Sequence, residues 1–205
     1  MPAFYTRSRP SVLRLALVVV GSTFGLSIAQ STLAQATPAS TAASEPVRKI
    51  AEWNLPKSSK LAIDGYDPVA YFPEGGGKPA KGDAKFTTEY RGVNYRFTST
   101  EHRDLFLANP ARYEPAYGGW CAWATKDGDK VEIDPKSFIV KDNRLFLFYD
   151  GFLADTRAKW LKGDHATECK TADQQWRKIS GEAPRSGDQA AAPVATPTIA
   201  QAPTT

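Results

Sequence analysis

The chain has 205 residues, with 26 Lys and Arg against 22 Asp and Glu. Three of the arginines, Arg7, Arg9 and Arg14, stand in an N-terminal segment that holds no acid, so the rest of the chain carries 23 basic against 22 acidic residues, a net of +1. A body this close to neutral, without a basic stripe, argues against a nucleic-acid partner.

In chain order, Arg7, Arg9 and Arg14 form a basic n-region, Leu15 to Ile28 is mostly apolar, and Ala34-Gln35-Ala36 fits a small-residue cleavage site. This is the pattern of a secretion signal over residues 1–36. The apolar run is short and broken by Gly and Ser, so no membrane span is expected after cleavage; an uncleaved N-terminal anchor is the alternative. Export implies a periplasmic or secreted protein. Residues 37–52 and 181–205 are rich in Ala, Pro, Thr and Ser, bury too little apolar surface to offset their ordering entropy, and are expected to be a disordered linker and a disordered tail. Residues 53–180 hold all five tryptophans and are long enough for one domain with one core.

Within that domain Leu61-Ala-Ile63 and Val69-Ala-Tyr-Phe72 read as short strands around Asp64-Gly65 and Asp67-Pro68, and Glu74 to Pro79 as a glycine-rich loop. Phe86 to Tyr90 and Val93 to Phe97 alternate apolar and polar residues around Arg91-Gly92, a hairpin signal. Thr98-Ser-Thr-Glu101 is a capping box with the Thr98 hydroxyl as cap, and Pro110 ends the helix that follows. Trp120 to Thr125 suits a short helix. Phe138 to Val140 and Leu145 to Tyr149 predict a second hairpin, Phe152 to Trp160 one more helix, and Thr171 to Ile179 a last one with Trp176 and Ile179 inward. Strands and helices mix without regular alternation, so the expected class is α+β, short antiparallel hairpins packed with several short helices.

Few residues carry chemistry. Cys121 follows Gly118-Gly119-Trp120, a position suited to a helix N-terminus that would stabilise a thiolate for a metal or for redox work. It is also a candidate for a disulfide with Cys169, since an exported chain with two cysteines commonly pairs them, or for a buried structural thiol. His102, in the first turns of the capped helix, is a candidate transition-metal ligand or simply a helix-face histidine. Asp67 and the tyrosines Tyr66, Tyr95 and Tyr117 are candidates to line a ligand pocket, with a packed aromatic core as the alternative. No nucleophile elbow, phosphate-binding glycine loop, zinc-protease helix or haem-attachment motif is present, so a non-enzymatic protein is expected.

Asp64-Gly-Tyr-Asp67-Pro68-Val69-Ala-Tyr71-Phe72, the run from Gly92 to Tyr113 and Tyr117-Gly-Gly-Trp-Cys121 together resemble the YHS domain, a small module associated with metal handling. Between about Ala62 and Trp176 the chain looks like a larger, exported bacterial group carrying that domain. Soft-metal-binding members look like Asp-Pro-Val-Cys followed by Phe-Cys-Ser-x-x-Cys or -His. Here Ala70 and Thr98 stand at two of those ligand positions and His102 at the third, with Cys121 as a replacement if the fold brings it near. The resemblance implies a binding module for copper or zinc or for a small ligand. A disulfide-stabilised module that binds another envelope protein is the second reading, and a redox accessory protein using Cys121 is the third.

Overall fold

The computed structural model describes residues 48–152 and 154–187. The segments expected to be a secretion signal (1–36), and most of those expected to be a disordered linker (37–52) and tail (181–205), lie outside the described residues. What is described is α+β: helices with small two-stranded antiparallel sheets. Among the described residues no helix is long and apolar enough to cross a membrane.

Strand β1 (Asp83–Tyr90) pairs with β2 (Val93–Phe97), and β3 (Asp134–Lys141) pairs with β4 (Arg144–Phe148). Both turns have two residues at positive φ: Arg91 and Gly92 at 51° and 82°, Asp142 and Asn143 at 52° and 54°. Such primed two-residue turns match the right-handed twist of the strands they join. Both hairpins are longer than expected, because β1 and β3 each continue backwards through an irregularity, between Asp83 and Thr87 and between Asp134 and Phe138. A third, minimal hairpin joins β5 (Asp150–Gly151) to β6 (Ala154–Asp155), with Phe152 fully exposed at its tip rather than inside a helix.

The two strands expected upstream do not form. Leu61 makes a single bridge to Asn94, and Ala62–Gly65 is a tight turn with Ile63 and Asp64 both at φ 50°. Val69 to Phe72 is a run of turns. The cause is local: the Asp67 carboxylate accepts from the N–H of Val69 (2.9 Å) and of Ala70 (3.3 Å), taking the donors that a strand would offer its neighbour.

Helix α1 (Thr100–Ala108) is capped by Ser99, whose hydroxyl accepts from the His102 N–H, not by Thr98. It stops before Pro110, which instead opens α2 (Pro110–Tyr113) as the pre-set first residue of a new turn. Helix α3 (Ala122–Thr125) is one turn, α4 spans Thr156–Lys162, and α5 spans His165–Ser180, starting six residues earlier than expected because Asp164 caps it at the Thr167 N–H. Trp176 is buried on α5, whereas Ile179 is only half-buried.

The apolar residues form two clusters. One gathers Tyr71, Phe72, Tyr95, Phe97 and Phe106 around β2 and α1; the other gathers Tyr117, Phe146, Phe148, Trp160 and Trp176 around α4 and α5. Strand β4 divides them: Leu145 and Leu147 face the first, Phe146 and Phe148 the second. A strand buried on both faces reads as a continuous apolar run, which is why Leu145-Phe-Leu-Phe148 shows no alternation. Gly118 sits where the two meet; a methyl group there would lie 2.7 Å from the Trp176 ring and 3.2 Å from that of Trp53.

The folded body extends past both ends of the expected 53–180 domain. Arg48, placed in the linker, and Glu182 and Arg185, placed in the tail, are all buried.

Candidate functional site

The positions singled out at 67, 98 and 102 converge. Asp67 is fully buried at the turn preceding Val69, Thr98 follows β2, and His102 lies in the first turn of α1. Oδ1 of Asp67 takes the Val69 and Ala70 amides; Oδ2 takes the Thr98 N–H (2.8 Å), the Thr98 hydroxyl (2.8 Å) and His102 Nδ1 (2.6 Å). Thr98 Oγ1 is also 3.0 Å from His102 Nδ1. A carboxylate can only accept, so Nδ1 carries a proton, and in the neutral imidazole the lone pair is then on Nε2. The described residues place no hydrogen-bond partner on Nε2. His102 thereby becomes an oriented acceptor, its ring angle and tautomer fixed by a carboxylate that is itself held by four other donors.

This donor set does not fit a soft metal. Ala70 has no ligating atom, the Thr98 hydroxyl is a hard oxygen engaged with Asp67, and the lone pairs of Asp67 are occupied by the five contacts just given. Cys121 does not supply the missing sulfur. It is fully buried, its N–H donates to Val131 O, and its thiol lies 3.3 Å from the Thr156 hydroxyl. The four-residue helix after it is too short for a sizeable macrodipole. Among the described residues no group of three or more His, Cys, Asp and Glu side chains is arranged to hold a metal ion.

The candidate disulfide does not form: Cys121 and Cys169 are both free thiols. Cys169 sits on α5, one turn after His165, whose Nε2 is 3.4 Å from its sulfur. Burial pushes the Cys169 thiol up to about 11. The other ring nitrogen of His165, Nδ1, accepts from the Trp160 indole N–H at 2.9 Å. Indole only donates, so the His165 proton is on Nε2, facing Cys169 and the Asp142 carboxylate at 3.5 Å. Burial, reinforced by Lys141, holds His165 below its ordinary value. Beside it lies a depression of about 400 Å³ lined by residues that include Ile139, Lys141, Trp160 and Leu161.

No family model matches the chain, and neither does any curated protein or any solved structure. The YHS resemblance has only the residues quoted for it behind it.

The tyrosines do not join the His102 site. Tyr66 is half-buried with the Lys81 ammonium 4.5 Å from its ring centre. The Tyr95 hydroxyl donates to Glu114 at 2.6 Å, and the Tyr117 hydroxyl donates to Asp173 at 2.8 Å, a carboxylate that Arg144 also grips at 2.6 Å. Burial, then the facing carboxylate, raises Tyr95 well above its ordinary range; burial raises Tyr117 in spite of Arg144. Both phenols stay protonated, as donors inside the fold. Sequence reasoning missed Glu114, Asp173 and the His165–Trp160 pair, because none belongs to a motif and each acquires its partner through tertiary packing.

Proposed function

We propose that this is an exported, non-enzymatic binding module whose ligand-receiving group is Nε2 of His102, and that its ligand is a small molecule presenting an N–H or O–H donor. The observation that carries this reading is the grip of Asp67 on Nδ1, which leaves Nε2 as a fixed acceptor without a protein partner. Export rests on the basic, apolar and small-residue pattern of residues 1–36. Copper or zinc, implied by the YHS resemblance, loses to a small molecule because the neighbours of His102 offer no second soft ligand. A second reading seats the ligand beside His165 instead, favoured by the depression there, whose volume falls in the range of small-molecule pockets.

The two readings separate in one experiment. Ring ¹⁵N and ¹³C shifts of both histidines are followed while the full chain is titrated with pyrazole, phenol and urea as donor probes, then with Zn²⁺. A saturable shift at His102, lost in His102→Ala, supports the proposal. Shifts confined to His165 favour the second site, and stoichiometric Zn²⁺ uptake at His102 replaces the small-molecule reading with the metal one.

A further inference from the structure

Four charged side chains from three separate segments meet inside the domain. Glu114, directly after α2, accepts from the Tyr95 hydroxyl on Oε1; its Oε2 lies 2.8 Å from Arg48 NH2 and 2.8 Å from Arg185 Nε. Glu182 Oε2 lies 3.1 Å from Arg185 NH2 and 3.7 Å from Arg48 Nε, while its Oε1 accepts from the Lys49 N–H. All four side chains are at most 6 % exposed. The Arg48 guanidinium also stacks 4.1 Å over Trp53 and lies 5.6 Å from the Tyr90 ring centre. Among the described residues, two cations thus face two anions.

The connectivity matters more than the count. Arg48 belongs to the segment before the domain, Glu182 and Arg185 to the segment after it, and the two flanks touch each other as well as Glu114. The second flank is also laid along the domain by backbone bonds, from Arg185 N–H to Ala116 O and from Gly187 N–H to Asn143 O. Pulling the first flank away leaves Glu114 and Glu182 facing Arg185 alone, a surplus buried negative charge that is costly in a low-dielectric interior. Pulling the second away takes from Glu114 one of its two arginines and from Arg48 its Glu182 contact. We propose that these residues form a clasp, with Glu114 as the catch, that makes the two flanking segments attach to and detach from the domain as one unit. Release uncovers Trp53 and Tyr90, which Arg48 packs over.

The test is limited tryptic digestion of the full chain, reading two bonds by mass spectrometry: the one after Arg48 and the one after Arg185. Both arginines are buried and should be cut slowly in the intact protein. In Arg48→Met the bond after Arg185 is expected to be cut at least tenfold faster; in Glu182→Gln the bond after Arg48 is expected to accelerate likewise. Ethylguanidinium at tens of millimolar, which fits the space vacated in Arg48→Ala, should restore protection of Arg185. Trp160→Phe, a lesion outside the clasp, and Lys178→Met, a surface charge loss, serve as controls compared at equal distance from their melting temperatures. Acceleration at one bond without the reciprocal effect overturns the coupling. Equal acceleration in the Trp160→Phe control overturns it too, by assigning cleavage to global unfolding.

Discussion

The two histidines are built in opposite senses. His102 is held at Nδ1 by the Asp67 carboxylate and turns Nε2, unprotonated in the neutral ring, away from its holder. His165 is held at Nδ1 by the Trp160 N–H and turns a protonated Nε2 toward a thiol and a carboxylate. The chemistry of the holder decides the difference: an acceptor fixes one tautomer, a donor the other. The same residue type thus becomes a free acceptor on one side of β4 and a committed donor on the other. The first has an unused lone pair in its neutral form, and the second lies beside a sizeable depression.

The largest effect expected from probing this contrast is at the His165 side. Trp160→Ala removes a fully packed indole and the donor that sets the tautomer, and should cost about 3–5 kcal/mol in urea unfolding. The His102 ring resonances should stay in place; movement there would show that the two halves are not independent. Next, Asp67→Asn replaces an acceptor of five contacts with a group that can accept on one side only. It should cost about 1–3 kcal/mol, and ¹⁵N spectra of the His102 ring should lose the Nδ1–H tautomer. An unchanged tautomer would remove the basis of the His102 proposal.

A smaller effect follows from pH. His165 is held below its ordinary value of 6.5 in the folded state. Above that value it is neutral in both states. Below it the unfolded chain takes up a proton that the folded chain does not, so stability falls as pH falls. Urea midpoints between pH 7.5 and 5 should decline, and His165→Gln should flatten the decline. The smallest effect is kinetic. With Cys169 pushed from 9.0 to about 11, its thiolate fraction at pH 8 drops about 100-fold, so iodoacetamide should label it correspondingly slowly. Cys121 should label only on unfolding.

Much of the fold was legible. The two hairpins were readable because Arg91-Gly92 and Asp142-Asn143 lie between apolar runs, and the α1 start because Thr98, Ser99, Thr100 and Glu101 straddle it. The strands at Leu61 and Val69 were misread, since a short apolar run carries no record that a nearby aspartate will take its amides. Of the candidate site, His102 and Asp67 were picked individually. That they bond, and that Thr98 closes the group, depends on the hairpin carrying residue 98 back to the Asp67 turn. Tyr95 and Tyr117 were named as ligand-lining groups but are consumed by Glu114 and Asp173, because a buried phenol must find an acceptor somewhere.

By itself the sequence determined what acts over a few residues: the two hairpin turns, the proline stop and the mixed α+β class. Only the tertiary structure decided that both cysteines remain free, which tautomer each histidine holds, and that Arg48, Glu182 and Arg185 close over Glu114. Those outcomes depend on which side chains meet across long stretches of chain, where a buried donor or charge must be answered by whatever group packing brings within about 3 Å.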